Sequence, residues 1–217
     1  WPDDLPIDII AEGLGDEKGE RFPRNAAESR FTVLIDPIDG TRGLMHDKRS
    51  AWVLAGAADK PAAAGPDLRD LIAGAMVEIP VTRQPVSDSI CGWLAGAERF
   101  EREAARESHP GARPEAMHFS PSRANDLFHG FASFVSYFSD GKEEIARIEN
   151  EFLRLHLPAD RPSSPLVFTD QYISSGGQIF ELLAGRDRMV ADLRPLVFGK
   201  LGMDTALTCH PYDLACL

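Results

Sequence analysis

The chain has 217 residues, of which 43% are hydrophobic and 26% charged, a balance typical of a folded globular protein. No run approaches the roughly eighteen consecutive apolar residues that a membrane-spanning helix needs. A formal net charge of −11 repels nucleic acid and anionic membranes, so neither partner is expected. Three scattered cysteines, an odd number, disfavour a disulfide framework and favour a reducing compartment, with the cytoplasm as the expected location.

The first half of the chain is patterned mainly as strands. Short apolar runs predict strands over residues 7–11, 31–35, 51–58, 72–79 and 89–95. The run at 31–35 is almost continuously apolar, as in a strand buried on both faces. Prolines and glycine predict a loop over residues 59–70. The charged stretch 98–107 predicts a helix.

The second half mixes helices and strands. A helix is predicted from Asp140 onwards, with an apolar stripe formed by Ile145, Ile148, Phe152 and Leu155. Short strands over 167–169 and 189–192 flank a short helix over 178–184. The Pro-, His- and Ser-rich segment 108–125 predicts a boundary, which gives an N-terminal sheet subdomain at 1–120 and a C-terminal α/β subdomain at 121–217. The order of elements predicts layered α/β or α+β packing.

The second predicted strand is followed directly by six residues typical of a binding site, Asp36-Pro37-Ile38-Asp39-Gly40-Thr41. Proline stiffens the chain between two carboxylates, which suits them to converge on a hard cation such as Mg²⁺. Gly40 permits close approach of the backbone to a ligand, and Thr41 offers an N–H and a hydroxyl where a helix can begin. Asp-Gly after a strand is also a common turn signal. The full group predicts a site for metal and phosphate.

This hexapeptide is the core signature of the inositol monophosphatase-like family of Mg²⁺-dependent, lithium-sensitive phosphatases, which the chain resembles. Haloacid dehalogenase-type phosphatases also carry an Asp-rich stretch after a strand, but their two acids are two residues apart. Asp36 and Asp39 are three apart. The spacing therefore disfavours a covalent aspartyl-phosphate and favours attack by a metal-activated water.

Two distant acids match further motifs of the family. Glu12 follows the strand Ile9-Ile10-Ala11, where the family has its first acidic ligand. Asp16 and Glu17 are competing matches, and Glu12 is favoured because the end of a strand holds a ligand more rigidly than a loop does. Asp213 matches the acid of the family's Trp-Asp motif, with Tyr212 in place of the tryptophan.

The resemblance implies roles for these residues. One Mg²⁺ would be held by Glu12, Asp36 and the carbonyl of Ile38, a second by Asp36, Asp39 and Asp213, and a third more weakly through Glu12. The implied catalytic residues are Thr41, Asp36 and Glu12, with Thr41 orienting the attacking water. The implied substrate-binding residues are Gly40, Thr41, Ser175, Gly176 and Asp213, of which Ser175 and Gly176 lie in a glycine-rich turn before a helix.

The resemblance also implies a fold and a function. The expected fold is the layered α-β-α-β-α sandwich of the inositol monophosphatase and fructose-1,6-bisphosphatase type. N- and C-terminal parts of that fold are expected beyond the present sequence. The expected activity is hydrolysis of a small phosphorylated metabolite, and a homodimer is one expected assembly. The alternatives are a metal- and phosphate-binding protein without turnover, a fructose-bisphosphatase, or a 3′-phosphonucleotide phosphatase.

Overall fold

The computed structural model describes residues 5–14, 19–95, 99–157 and 166–203, together with Asp213 and Cys216. The chain divides into two compact units. The first contains the described residues within 1–118, 174–177 and 210–217, and the second those within 119–173 and 178–209. The first unit contains all of the residues predicted to form the site, so its sheet positions the site.

An eight-stranded sheet forms the first unit. Its strands are β1 (Ile7–Ala11), β2 (Glu20–Phe22), β3 (Phe31–Asp39), β4 (Ala51–Ala58), β5 (Leu71–Ile79), β6 (Ser87–Ala95), β7 (Arg99–Glu107) and β8 (Glu115–Met117). Their spatial order is β2-β1-β3-β4-β5-β6-β7-β8. The β1–β3 pair is parallel and the other pairs are antiparallel. A short helix, α1 (Thr41–Met45), follows β3, and two 3₁₀ turns, Ala62–Ala64 and Leu68–Asp70, lie in the predicted loop at 59–70.

One face of this sheet is the buried face. Leu54 of β4 pairs with Met76 of β5, which in turn pairs with Ile90 of β6. These three side chains are buried. Because successive residues of a strand point to opposite faces, every second residue of β4 enters this core. Asp36 of β3 pairs with Leu54 and so lies next to the row.

The helix predicted over residues 98–107 is wrong. Residues 99–107 form β7, which pairs with β6 along its whole length, from Ser87 opposite Glu107 to Ala95 opposite Arg99. Glu98 lies outside the described residues. Glu, Arg and Ala favour a helix in isolation, but pairing with a neighbouring strand overrides a weak local preference. The β6–β7 hairpin is also stabilised by a bidentate salt bridge between Arg106 and the buried Asp88, with hydrogen bonds of 2.6 and 2.7 Å.

The second unit is smaller and contains a parallel sheet in the order β10 (Val167–Phe168), β9 (Gly130–Phe134) and β11 (Asp187–Ala191). Its helices are α2 (Lys142–His156) and α4 (Arg194–Leu201), and α3 (Ser175–Leu183) begins in residues of the first unit and continues in the second. Its core is formed by Phe134, Ile145, Val197 and Phe198, with Ile148 and Phe152 packed against it. Leu155, predicted as part of that stripe, is exposed.

The predicted fold class is confirmed, since both strands and helices are present and a large sheet dominates the first unit. The described helices include none with the length and apolar character needed to cross a membrane.

Candidate functional site

A β-bulge brings the two acids of the hexapeptide onto one face of the sheet. In a regular strand, residues three apart point to opposite faces. Here Asp36 pairs with Leu54 and Asp39 pairs with Trp52, so three steps along β3 match two steps along β4. The extra residue restores the same side for both acids. Pro37 lies within this bulge, where its missing N–H costs no ladder hydrogen bond.

The parallel pairing of β1 and β3 brings Glu12 beside Asp36. Ala11 pairs with Ile35, and the Glu12 N–H donates to the Ile35 carbonyl at 3.1 Å. Glu12 therefore follows the end of β1 at the level of Asp36, which lies within β3. Glu12 is exposed, whereas Asp36 is buried. The competing ligands Asp16 and Glu17 lie outside the described residues.

The acid near the C-terminal end of the sequence, Asp213, also lies near Asp36 and Asp39. Asp213 is buried, and its charge acts on both Asp36 and Asp39. Gly74 of β5 leaves room for the backbone of Cys216, which lies three positions after Asp213. A Cβ atom at position 74 would lie 2.6 Å from the Cys216 carbonyl oxygen. The Cys216 thiol lies 3.5 Å from the Asp213 carbonyl oxygen, so the two residues are in contact.

Asp39 is held by the start of α3. Its Oδ2 accepts hydrogen bonds from the Ser174 hydroxyl at 2.8 Å and the Gly176 N–H at 2.7 Å. Its Oδ1 accepts from the Ser175 N–H at 3.3 Å. A carboxylate at a helix N-terminus is stabilised by the N–H groups that the helix itself leaves unpaired. The N–H groups of Ser175 and Gly176 are thus directed at Asp39, and the prediction that these residues bind substrate stays a prediction.

The end of the hexapeptide forms a tight turn. Gly40 adopts φ 93°, a left-handed conformation that glycine accommodates without strain, and precedes α1. The Thr41 hydroxyl donates to the Ile38 carbonyl at 2.7 Å, and the Ile38 N–H donates to Asp36 Oδ1 at 2.9 Å. Thr41 is exposed. Its hydroxyl oxygen therefore keeps lone pairs that can accept a hydrogen bond from solvent.

Burial and neighbouring negative charge raise the pKa values of both acids of the hexapeptide. Burial, together with the charges of Asp39, Glu12 and Asp213, raises the pKa of Asp36 to about 8, against the opposing hydrogen bond from Ile38. Burial also raises the pKa of Asp39 to about 6, although the hydrogen bonds from α3 oppose that shift. Such a group of acids lowers its free energy by taking up protons or cations.

The candidate donor set consists of oxygen atoms. Its side-chain donors are all carboxylates, joined by the Ile38 carbonyl, and hard cations prefer oxygen ligands. The carboxylates are not arranged around one point, since the described residues contain no group of three acidic, histidine or cysteine side chains placed to hold a single ion. The residue types and the excess negative charge fit divalent cations.

Comparison with known proteins places the fold. Neither family models nor curated protein sequences match the chain. The solved structure of SuhB from Mycobacterium tuberculosis is similar, with a TM-score of 0.51 and 16% sequence identity, over 86% of this chain and 57% of that chain. The fold is inositol monophosphatase-like. The resemblance predicted from the hexapeptide is thereby confirmed at the level of the fold.

Two further solved structures are also similar to this inositol monophosphatase-like fold. Fructose-1,6-bisphosphatase from Leishmania major has a TM-score of 0.49 and 10% identity, over 82% of this chain and 52% of that chain. Inositol monophosphatase II from Staphylococcus aureus has a TM-score of 0.41 and 15% identity, over 82% of this chain and 51% of that chain. The chain therefore spans a little over half the length of the solved structures that it matches.

Two residues that shape the site escaped prediction. Ser174 stands next to the predicted Ser175, and nothing in the sequence Ser-Ser-Gly-Gly distinguishes the serine whose side chain meets Asp39. Gly74 lies in an ordinary apolar strand pattern. A glycine inside a strand does indicate that another backbone approaches closely, and that signal was available from the sequence.

Proposed function

We propose that the chain carries the catalytic centre of a Mg²⁺-dependent phosphomonoesterase that hydrolyses a small phosphorylated metabolite. The observation that carries the proposal is the bulge at Asp36 and Asp39, which directs both acids to one face of the sheet. Glu12 and Asp213 add charge at the same place and contribute to raising the pKa of Asp36 to about 8. A site that binds protons this strongly when empty has the charge to bind divalent cations instead.

The proposed metal ligands are the carboxylates of Glu12, Asp36, Asp39 and Asp213 and the carbonyl of Ile38. Two Mg²⁺ ions, with a third bound more weakly, agree with this number of donors. When bound, the ions would lower the pKa of a water molecule and neutralise charge on the phosphate.

The remaining roles belong to the turn after β3 and to α3. The Thr41 hydroxyl donates its proton to the Ile38 carbonyl, so its oxygen would accept a hydrogen bond from the attacking water. This hydrogen bond would direct a lone pair of the water at phosphorus. Gly40 and Thr41 would donate backbone N–H groups to the phosphate oxygens. Ser175 and Gly176 would lie near the leaving group, and Asp213 would also contact the substrate. We also propose a homodimer, on the basis of the sequence resemblance, and a cytoplasmic location, on the basis of the three scattered cysteines.

The proposal is tested by measuring release of inorganic phosphate. The chain is assayed with Mg²⁺, and again with EDTA, on inositol monophosphates, fructose 1,6-bisphosphate and 3′-phosphorylated nucleotides. We expect Mg²⁺-dependent hydrolysis of at least one ester, and a loss of about 100-fold or more in kcat/KM for Asp36→Asn, since losing a metal-binding or transition-state contact has effects of that order.

A matched control is Asp59→Asn. It removes the same charge just after β4, away from the acids, where Asp59 forms an exposed ion pair with Arg30 at 2.9 Å. We expect this variant to keep wild-type activity, because exposed ion pairs contribute little. Equal activity of Asp36→Asn and wild type would refute the site. Mg²⁺ binding without hydrolysis of any ester would instead favour a binding protein, and phosphate trapped covalently on Asp36 would replace the water mechanism with an aspartyl-phosphate.

A further inference from the structure

The Ser174 side chain lies between Asp39 and the first turn of α3. It is 2% exposed. Its hydroxyl oxygen accepts a hydrogen bond from the Gly177 N–H at 2.9 Å, as an N-cap residue does. The same hydroxyl lies 2.8 Å from Asp39 Oδ2. The hydroxyl therefore has two partners in fixed directions.

These two partners determine where the Ser174 proton points. An N–H group can only donate, so the oxygen uses a lone pair for Gly177. A carboxylate can only accept, so the hydroxyl proton is directed at Asp39. The contact is a charge-assisted hydrogen bond, which is shorter and stronger than a neutral one. An N-cap function alone requires only the contact with Gly177, so the contact with Asp39 is a separate property of this serine.

The two oxygens of Asp39 are used unequally. Oδ2 accepts from both Ser174 and Gly176, at 2.8 and 2.7 Å, whereas Oδ1 has the longer contact with the Ser175 N–H, at 3.3 Å. The close pair of donors fixes the rotation of the carboxylate about its last bond. Oδ1 is left as the oxygen with capacity for a further partner.

We propose that Ser174 is a positioning residue, which orients the Asp39 carboxylate so that Oδ1 is presented to a divalent cation. The inference rests on the proposed function for the presence of the cation and gives a role to a residue that had none among the predicted site residues. Groups that hydrogen-bond a metal ligand typically change metal affinity by about 10–100-fold when they are removed.

The experiment measures metal binding directly, without reference to turnover. Mn²⁺ is titrated into the metal-free chain by isothermal calorimetry for wild type, Ser174→Ala, Ser174→Gly and Ser174→Thr. Glycine is included because it is a good N-cap residue, so helix α3 keeps its start while the hydroxyl is lost. We expect the affinity to fall about ten-fold in the alanine and glycine variants and to stay near wild type in the threonine variant, which keeps the hydroxyl.

Ser133→Ala is the matched control. Ser133 is 1% exposed, and its hydroxyl donates to the Asp170 carbonyl at 3.0 Å and accepts from the Asp170 N–H at 3.1 Å. Ser133→Ala therefore removes one donated and one accepted hydrogen bond from a buried position in the second unit, and Ser174→Ala does the same in the first unit. We expect comparable loss of stability with unchanged Mn²⁺ affinity.

The outcomes separate the two proposals. Unchanged Mn²⁺ affinity in Ser174→Ala and Ser174→Gly overturns the positioning role, as does an equal loss in Ser133→Ala. A wild-type chain that binds Mn²⁺ but hydrolyses no phosphate ester overturns only the phosphatase activity, and the titrations still decide the role of Ser174. A wild-type chain that binds no Mn²⁺ overturns both. If hydrolysis is observed, the Mg²⁺ concentration for half-maximal activity should rise about ten-fold in Ser174→Ala, with KM for the ester unchanged.

Discussion

Gly74→Ala should displace Cys216 and, through their contact, Asp213. The new Cβ atom would lie 2.6 Å from the carbonyl oxygen of Cys216, 2.8 Å from its carbonyl carbon and 3.1 Å from its Cα. All three atoms belong to the backbone, so no side-chain rotation relieves the overlap. The separation must open by about 0.8 Å, from 2.6 Å to an ordinary contact near 3.4 Å. Overpacking of this kind costs about 1–3 kcal/mol.

Two measurements follow this displacement. Urea unfolding should show a loss of about 1–3 kcal/mol in the free energy of unfolding. Calorimetric titration should show weaker Mn²⁺ binding, because Asp213 lies three residues before Cys216 and moves with it. Removal of a ligand from a shared metal site is expected to reduce affinity by about ten-fold or more.

Gly199→Ala controls for the added methyl group. Position 199 lies in α4 of the second unit, and a Cβ atom there meets nothing within 4 Å. Alanine should stabilise this helix by roughly 0.5–1 kcal/mol and leave Mn²⁺ affinity unchanged. If Gly74→Ala is as stable as wild type and binds Mn²⁺ equally well, the close approach of Cys216 to β5 does not determine the position of Asp213, and the reasoning is refuted.

Two further predictions concern stability. The pKa of Asp36 is raised to about 8 in the folded protein from an ordinary 3.8, so the folded state binds more protons than the unfolded state, and the metal-free chain should lose stability as pH rises from about 4 to about 8. The free energy of unfolding should fall by about 1.4 kcal/mol per pH unit for one proton. Urea unfolding at a series of pH values between 5 and 8 should show a smaller dependence on pH in Asp36→Asn. An equal dependence in that variant would contradict the assignment. In the second unit, Arg194 is 2% exposed, binds Asp192 through two hydrogen bonds of 2.8 and 2.6 Å, and lies 4.6 Å from the centre of the Tyr137 ring. Arg194→Lys keeps the charge but loses the two-bond contact with Asp192 and the stacking on Tyr137. Chemical denaturation should therefore show a loss of about 2 kcal/mol in the free energy of unfolding, whereas Arg154→Lys, at an exposed position, should show almost no loss.

Local pattern predicted most of the sheet but not how its strands pair. The strands at 7–11 and 51–58 have the predicted bounds because apolar residues there serve the core directly. Residues 99–107 form a strand although their composition favours a helix, since the partner strand β6 supplies the hydrogen bonds. Pairing of this kind depends on residues outside any local window.

The site was predictable as a set of residues but not as an arrangement. The hexapeptide identified Asp36 and Asp39 as candidate ligands, but their three-residue spacing in a regular strand would have separated them across the sheet. Only the register with β4 shows that they share a face. The hydroxyl of Ser174 was equally out of reach, because its partner lies 135 positions away along the chain.

The bulge makes the length of the segment between the two acids as important as their identity. Deleting Ile38 would leave both aspartates in the chain, yet it would convert a bulged segment into one of ordinary pleat. A designer who transfers this acid pair to another strand must therefore place the acids two residues apart, or three apart with the bulge included. Sequence comparisons should accordingly read the spacing of these acids together with the bulge, because the same three-residue spacing in a regular strand would place them on opposite sides of the sheet.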